Sequence, residues 1–117
     1  MTYKAKRNLT DGLVQVFTRR ELRSPTTVYS DVADVRGYDK RTVLLVSDLD
    51  QAVTATVQGA RNQSFDNPVN IGDGIAVAVT ATVFAERAQY FPYLRIKAEN
   101  AATATTGGLD GYFLLKV

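Results

Sequence analysis

Tyr90, Phe91 and Tyr93 stand beside Arg87, Arg95 and Lys97. Aromatics interleaved with basic side chains can stack on bases or sugars, and Tyr90, Tyr93 and Arg95 are the residues a ligand face here would use. The same residues also fit an aromatic plug closing one end of a β-structure, with Arg95 and Lys97 on its wet side. Asp48 and Asp50, with Asp31 and Asp34 elsewhere, come nearest to paired carboxylates. Clustered carboxylates suit a hard cation such as calcium. The repeating spacing of a calcium loop is missing, and a turn between strands selects Asp for its backbone hydrogen bonds. Gly72-Asp73-Gly74 begins like a dinucleotide fingerprint, but no third glycine and no helical pattern follow it. Gly107-Gly108 suits a turn that needs positive φ. Asn8-Leu9-Thr10 and Asn62-Gln63-Ser64 match a glycosylation pattern that matters only in a secreted chain.

Composition removes most other chemistry. The 117 residues include no Cys and no His. The commonest general base, the usual metal ligands and every Ser-His or Cys-His nucleophile are therefore absent. The expectation is a protein that is not an enzyme, with no catalytic residue, no cofactor and no metal. No apolar stretch follows Met1–Arg7, so no secretory signal is expected. No run approaches the roughly 20 apolar residues of a membrane helix. A soluble product of the cytoplasm without a membrane partner is the reading.

Charge is unevenly placed. The formal net charge is +2, yet Lys4, Lys6, Arg7, Arg19, Arg20 and Arg23 face only Asp11 and Glu21 within the first 23 residues. A basic leading segment on a mildly acidic body suits contact with an acidic surface. Residues 1–12 carry no strong pattern and read as an arm; residues 13–117 read as the folded domain. Tyr3, Lys4, Lys6, Arg7, Arg19 and Arg20 are the candidate partner-binding residues.

The elements that would position these residues are strands. Val53, Ala55 and Val57 alternate with Thr54, Thr56 and Gln58, and Leu94, Ile96 and Ala98 alternate with Tyr93, Arg95 and Lys97. Ile75, Val77, Val79, Ala81 and Val83 form one apolar row, with Thr80 and Thr82 turned the other way. Val43–Val46 is continuously apolar, as in a central strand covered on both faces. Gly111–Val117 alternates to the last residue, and weaker strands fall near Leu13–Arg19 and Thr26–Val35. Ser47–Gln51 has hairpin length, and Asn62–Asn70 with Gly72-Asp73-Gly74 brackets a longer loop. Ala85–Gln89 could form a single turn. Seven or eight short strands with turn signals between them predict an all-β chain, a single antiparallel β-sandwich of jelly-roll or immunoglobulin-like type with an extended N-terminal arm.

Three features carry a resemblance: the arm with Lys4, Lys6 and Arg7, the Asp39–Val46 strand followed by Asp48–Thr54, and the Tyr93–Lys97 strand with its Thr-Thr-Gly-Gly loop and Tyr112–Val117 strand. Together they resemble the small β-sandwich virion proteins of tailed bacteriophages, especially capsid decoration or auxiliary proteins. The resemblance covers most of residues 25–117. It implies a structural protein located in the virion, partnered by the major capsid protein or other virion subunits and assembled as a homo-oligomer, commonly a trimer. It carries over no catalytic or ligand residue, and nucleic acid is not an expected partner. The alternative is a tail- or head-associated carbohydrate-binding β-sandwich that uses the Tyr90, Tyr93 and Arg95 face.

Overall fold

Alternating apolar and polar residues place every second side chain on one face of a strand. Two sheets built this way bury their apolar faces against each other. The computed structural model describes residues 11–23, 27–87, 91–100 and 102–117. The expected contacts of Tyr3, Lys4, Lys6, Arg7 and Tyr90 lie outside the described residues.

The strands are β1 (Gly12–Arg20), β2 (Thr27–Tyr29), β3 (Ala33–Asp34), β4 (Lys40–Ser47), β5 (Val53–Ala60), β6 (Val69–Val77), β7 (Thr82–Glu86), β8 (Tyr93–Asn100) and β9 (Leu109–Lys116). One sheet has the order β1-β9-β4-β7. The other has the order β2-β8-β5-β6, and β3 also pairs with β8. Every pairing is antiparallel. The expected β-sandwich is therefore the fold. Between the sheets lie Val43, Leu45, Leu109 and Phe113 from one side and Val57, Leu94 and Ile96 from the other, all essentially without solvent contact. β2 and β3 share one edge of β8, and Ser30 repairs the break between them. Its amide donates to the Ile96 carbonyl at 2.8 Å, and its Oγ accepts from the Ile96 amide at 2.8 Å.

Several connections differ from the sequence expectation for one reason: a short loop can turn within a sheet or cross to the facing one. Residues 48–52 do not close a hairpin, because β4 and β5 belong to different sheets. The β8–β9 connection crosses in the same way. The row Ile75 to Val83 is broken at Val79, which is 52% exposed, and at Thr80, where φ is 50°. Ile75 and Val77 enter the core from β6, whereas Val83 belongs to β7 in the other sheet. Gly72-Asp73-Gly74 lies inside β6, at a bulge opposite Ala55–Val57, and not in a loop. Ala85 and Glu86 extend β7, so the expected turn does not begin there, and its Ala88 and Gln89 lie outside the described residues. Asp11 and Gly12 belong to the sandwich: Gly12 opens β1, and the Asp11 carboxylate accepts the Val117 amide at 3.1 Å. β4 is central as expected, with Val43 and Leu45 buried, but Leu44 and Val46 on its other face are only half-buried.

One inward position of β4 is charged. Arg41 is 5% exposed. Its Nε donates to the Tyr38 carbonyl at 3.1 Å, Nη1 to that of Phe91 at 2.7 Å and Nη2 to that of Val35 at 3.2 Å. A buried guanidinium is tolerable only when its donors are satisfied in this way. The clamp ties the chain entering β4 to the chain entering β8. Phe91 then lies over Gly59, where a Cβ would come within 2.5 Å of the ring.

Arg41→Met should cost about 3 kcal/mol, because the Tyr38 and Phe91 carbonyls lose this donor and the Val35 carbonyl keeps only the Tyr38 amide. Arg41→Lys should recover only part of this, since an ammonium lacks the planar fork. Urea denaturation provides the check, and a loss within about 0.5 kcal/mol for Arg41→Met would make the clamp incidental.

Candidate functional site

The β8 alternation turns Tyr93, Arg95 and Lys97 outward, as expected. The register then adds neighbours that one strand alone does not reveal. Arg95 stands opposite Gln58, and Gln58 opposite Asn70, while Lys97 lies between Tyr29 and Thr56. The Arg95 guanidinium lies 4.2 Å from the ring centroid of Tyr29 and 4.4 Å from that of Phe65. Its Nε donates to Gln58 Oε1 at 2.9 Å, and Gln58 Nε2 donates to Asn70 Oδ1 at 2.9 Å. Tyr93 does not share this stack. Arg36 covers it at 5.5 Å from the centroid, and Arg36 is itself held by Asp34 at 2.7 Å. Lys97 pairs with Glu99 at 3.7 Å.

The loop joining β5 to β6 brings Phe65 to Arg95. Asn62 Oδ1 accepts the Asp66 amide at 3.0 Å, and Asp66 Oδ2 accepts from Asn62 Nδ2 and Ser64 Oγ. Phe65 sits in this turn at φ 60° and is buried. Beside the loop, Arg61, Asn62, Asp66, Asn67, Val69 and Phe91 line a recess of about 460 Å³. Tyr29, Phe65, Gln58 and Asn70 were not legible as site residues. The pattern of β8 gives the face of Arg95, but its neighbours follow from register and from a left-handed loop residue that no pattern marks.

The carboxylates of the other end are committed to the fold. Asp48 Oδ2 accepts from Arg19 Nη1 at 2.7 Å, and its Oδ1 accepts the Gly108 amide at 2.7 Å. Asp50 accepts the Thr105 amide at 2.9 Å and, at its other oxygen, the Thr105 hydroxyl. The hydrogen bond from Arg19 holds the Asp48 carboxyl below the usual carboxylate range, with help from the Gly108 amide. The Thr105 hydroxyl does the same for Asp50. Asp is thus a loop residue here, as the turn reading had it, although its bonds reach across to the β8–β9 connection. Gly107 in that connection has φ 85°, and a Cβ there would meet the Asp48 carbonyl at 2.1 Å. Among the described residues no group of three or more Asp or Glu gathers as a metal centre would require. Arg19, a candidate partner-binding residue, is drawn into this network, while the adjacent candidate Arg20 is exposed on β1.

The outer face of the β1-β9-β4-β7 sheet carries an apolar band that no single strand's pattern marks. One row across it reads Leu13, Leu114, Thr42 and Glu86; the next reads Gln15, Tyr112, Leu44 and Phe84. Leu13 is 59% exposed and Phe84 63%, with Leu44, Tyr112 and Leu114 half-buried between them. Apolar side chains contiguous on a surface mark contact sites more often than singly scattered ones do.

No family model matches the sequence, and no curated protein matches it. The fold is similar to that of the PBSX exported protein XepA, with a TM-score of 0.70 and 14% identity over 89% of this chain. The chain spans only 37% of the length of XepA. It is also similar to PirA, with a TM-score of 0.55 and 14% identity, over 95% of this chain and 99% of PirA.

The two lowered carboxyls set an acid limit. A carboxyl whose folded pKa lies below its unfolded value of about 4 contributes stability that is full above that pH. The contribution is lost as pH falls through the folded pKa. Urea midpoints should therefore drop for the native chain below about pH 4, and drop less steeply for Asp50→Asn. Equal slopes for the two proteins would show that Asp50 is not one of the groups responsible.

Proposed function

We propose that the chain is a non-enzymatic structural protein of a tailed-phage virion that binds and stabilises a capsid lattice as a decoration or cement protein. The observation that carries the protein-binding part is the apolar band from Leu13 to Phe84 on one outer sheet face. The phage setting draws on the virion-protein resemblance of the sequence and on the likeness of fold to XepA, a PBSX phage exported protein.

In this reading the band seats on a capsid subunit, and the basic residues Lys4, Lys6 and Arg7 with Arg20 engage acidic groups beside it. Many weak contacts repeated over a symmetric lattice sum to large avidity. Self-association, as a trimer or another closed ring, would raise that avidity further. The reading also accounts for the idle carboxylates. Asp48 and Asp50 hold loops together, and a cementing protein needs a rigid body and a sticky face, not a reacting centre.

Phe84→Lys should leave stability within about 0.5 kcal/mol, because the ring is mostly in solvent. It should also lower occupancy on particles stripped of the protein and re-incubated with purified chain. Deletion of residues 1–10 should lower occupancy while leaving the thermal transition in place. If both variants decorate particles as fully as the intact chain, neither surface serves the proposed contact.

A further inference from the structure

The Arg95 stack lies on the sheet opposite the apolar band, and lattice binding through that band does not use it. Its construction is specific. The guanidinium lies over the rings of both Tyr29 and Phe65, at 4.2 and 4.4 Å from their centroids. Gln58, itself held by Asn70, takes Nε–H. Nη1 and Nη2 have no acceptor among the described residues, and neither is enclosed in the interior. Two neighbouring cations are already matched, Arg36 by Asp34 and Lys97 by Glu99.

A guanidinium held this way has lost most of its rotational freedom before anything binds. It presents its outer N–H edge in a fixed plane. That edge matches the two oxygens of a carboxylate, which an Arg fork binds through parallel hydrogen bonds. Contact with the two rings displaces water from the guanidinium while leaving its donor edge open. Prior ordering lowers the entropy cost of binding. Phe65 reaches its place only with φ at 60°, a conformation unfavourable for a bulky side chain. Strain of this kind persists where the surroundings over-determine it, as ligand clamps do.

We propose that Arg95 is a carboxylate-binding site and that its ligand is an Asp or Glu side chain of a partner protein. Arg95 stands on the outer face of β8 and does not line the recess beside the Phe65 loop, so a carboxylate carried on a docking surface reaches its free edge more readily than a ligand seated in that recess. The inference rests on the reading of the chain as a protein-binding module, but it concerns a different face and is tested without particles.

The test is titration of the full chain with N-acetyl-glutamate amide, observed through the Arg95 Nε–H resonance and the Tyr29 ring signals. A saturable shift is expected, with a dissociation constant on the order of 10 mM for so small a probe. N-acetyl-glutamine amide should produce none. Arg95→Lys, which keeps the charge, and Tyr29→Ala, which removes one ring, should each weaken binding at least about threefold. If Arg95→Lys fails to fold, Tyr29→Ala decides alone. Equal shifts with the glutamine probe, or no saturation, would overturn the site. Saturation by glucuronate with none by N-acetyl-glutamate amide would overturn the protein ligand in favour of an acidic sugar. Lattice binding could fail in every assay while this titration succeeds, so the two proposals stand or fall separately.

Discussion

Arg41 places a permanent charge in a position that the alternation of β4 reserves for the core. Its donors must find acceptors inside the protein, and each of its three nitrogens donates to a carbonyl, those of Val35, Tyr38 and Phe91. Two separate stretches of chain are thereby fixed to the middle of one sheet. The first is the turn that delivers β4. The second is the entry to β8, which carries Phe91 onto Gly59 and starts β8 in the register that sets Tyr93 opposite Ala60 and Arg95 opposite Gln58. The recess beside Phe91 and the stack around Arg95 both follow from that placement. A core of aliphatic side chains supplies most of the hydrophobic gain, but its contacts are non-directional. The guanidinium contributes direction.

At the opposite end the same work is done by carboxylates. Asp48 joins β1, through Arg19, to the start of β9, through Gly108. Asp50 holds the connection from β8. Both loops cross between the sheets, where no backbone ladder is available to satisfy their polar groups, so side chains take its place. Thus the sandwich is closed at one end by a buried cation and at the other by exposed anions. The lowered Asp48 and Asp50 carboxyls make the second end sensitive to acid.

How much of this was legible follows from the range of each signal. Alternation is local, and Leu94-Ile96-Ala98, Val53-Ala55-Val57 and Phe113-Leu115 all face inward as their pattern requires. Which sheet a strand joins is not local. The stretch from Asp48 to Ala52 could have turned back within one sheet, and the row from Ile75 to Val83 reads as one strand until the positive φ at Thr80 breaks it. Tyr93 and Arg95 were legible as outward residues, but the rings that clasp Arg95 come from Tyr29 and Phe65, 66 and 30 positions away in the chain. Arg41 was hidden for the opposite reason: a charged residue in an alternating strand reads as a surface residue. The apolar band on the outer face was hidden as well. Leu13, Leu44, Tyr112 and Phe84 lie on different strands, and only register brings them into one row or its neighbour.

The two outer faces differ in chemistry, one carrying an apolar band from Leu13 to Phe84 and one built around an ordered cation. The proposed reading assigns both faces to contacts with other proteins. Density-gradient fractionation of a phage-producing culture, with the chain quantified against the major capsid protein, tests this most directly. Co-migration with particles at a fixed copy number per capsid subunit is the result the account predicts. Recovery of the chain only as free protein, with none on particles, would contradict it.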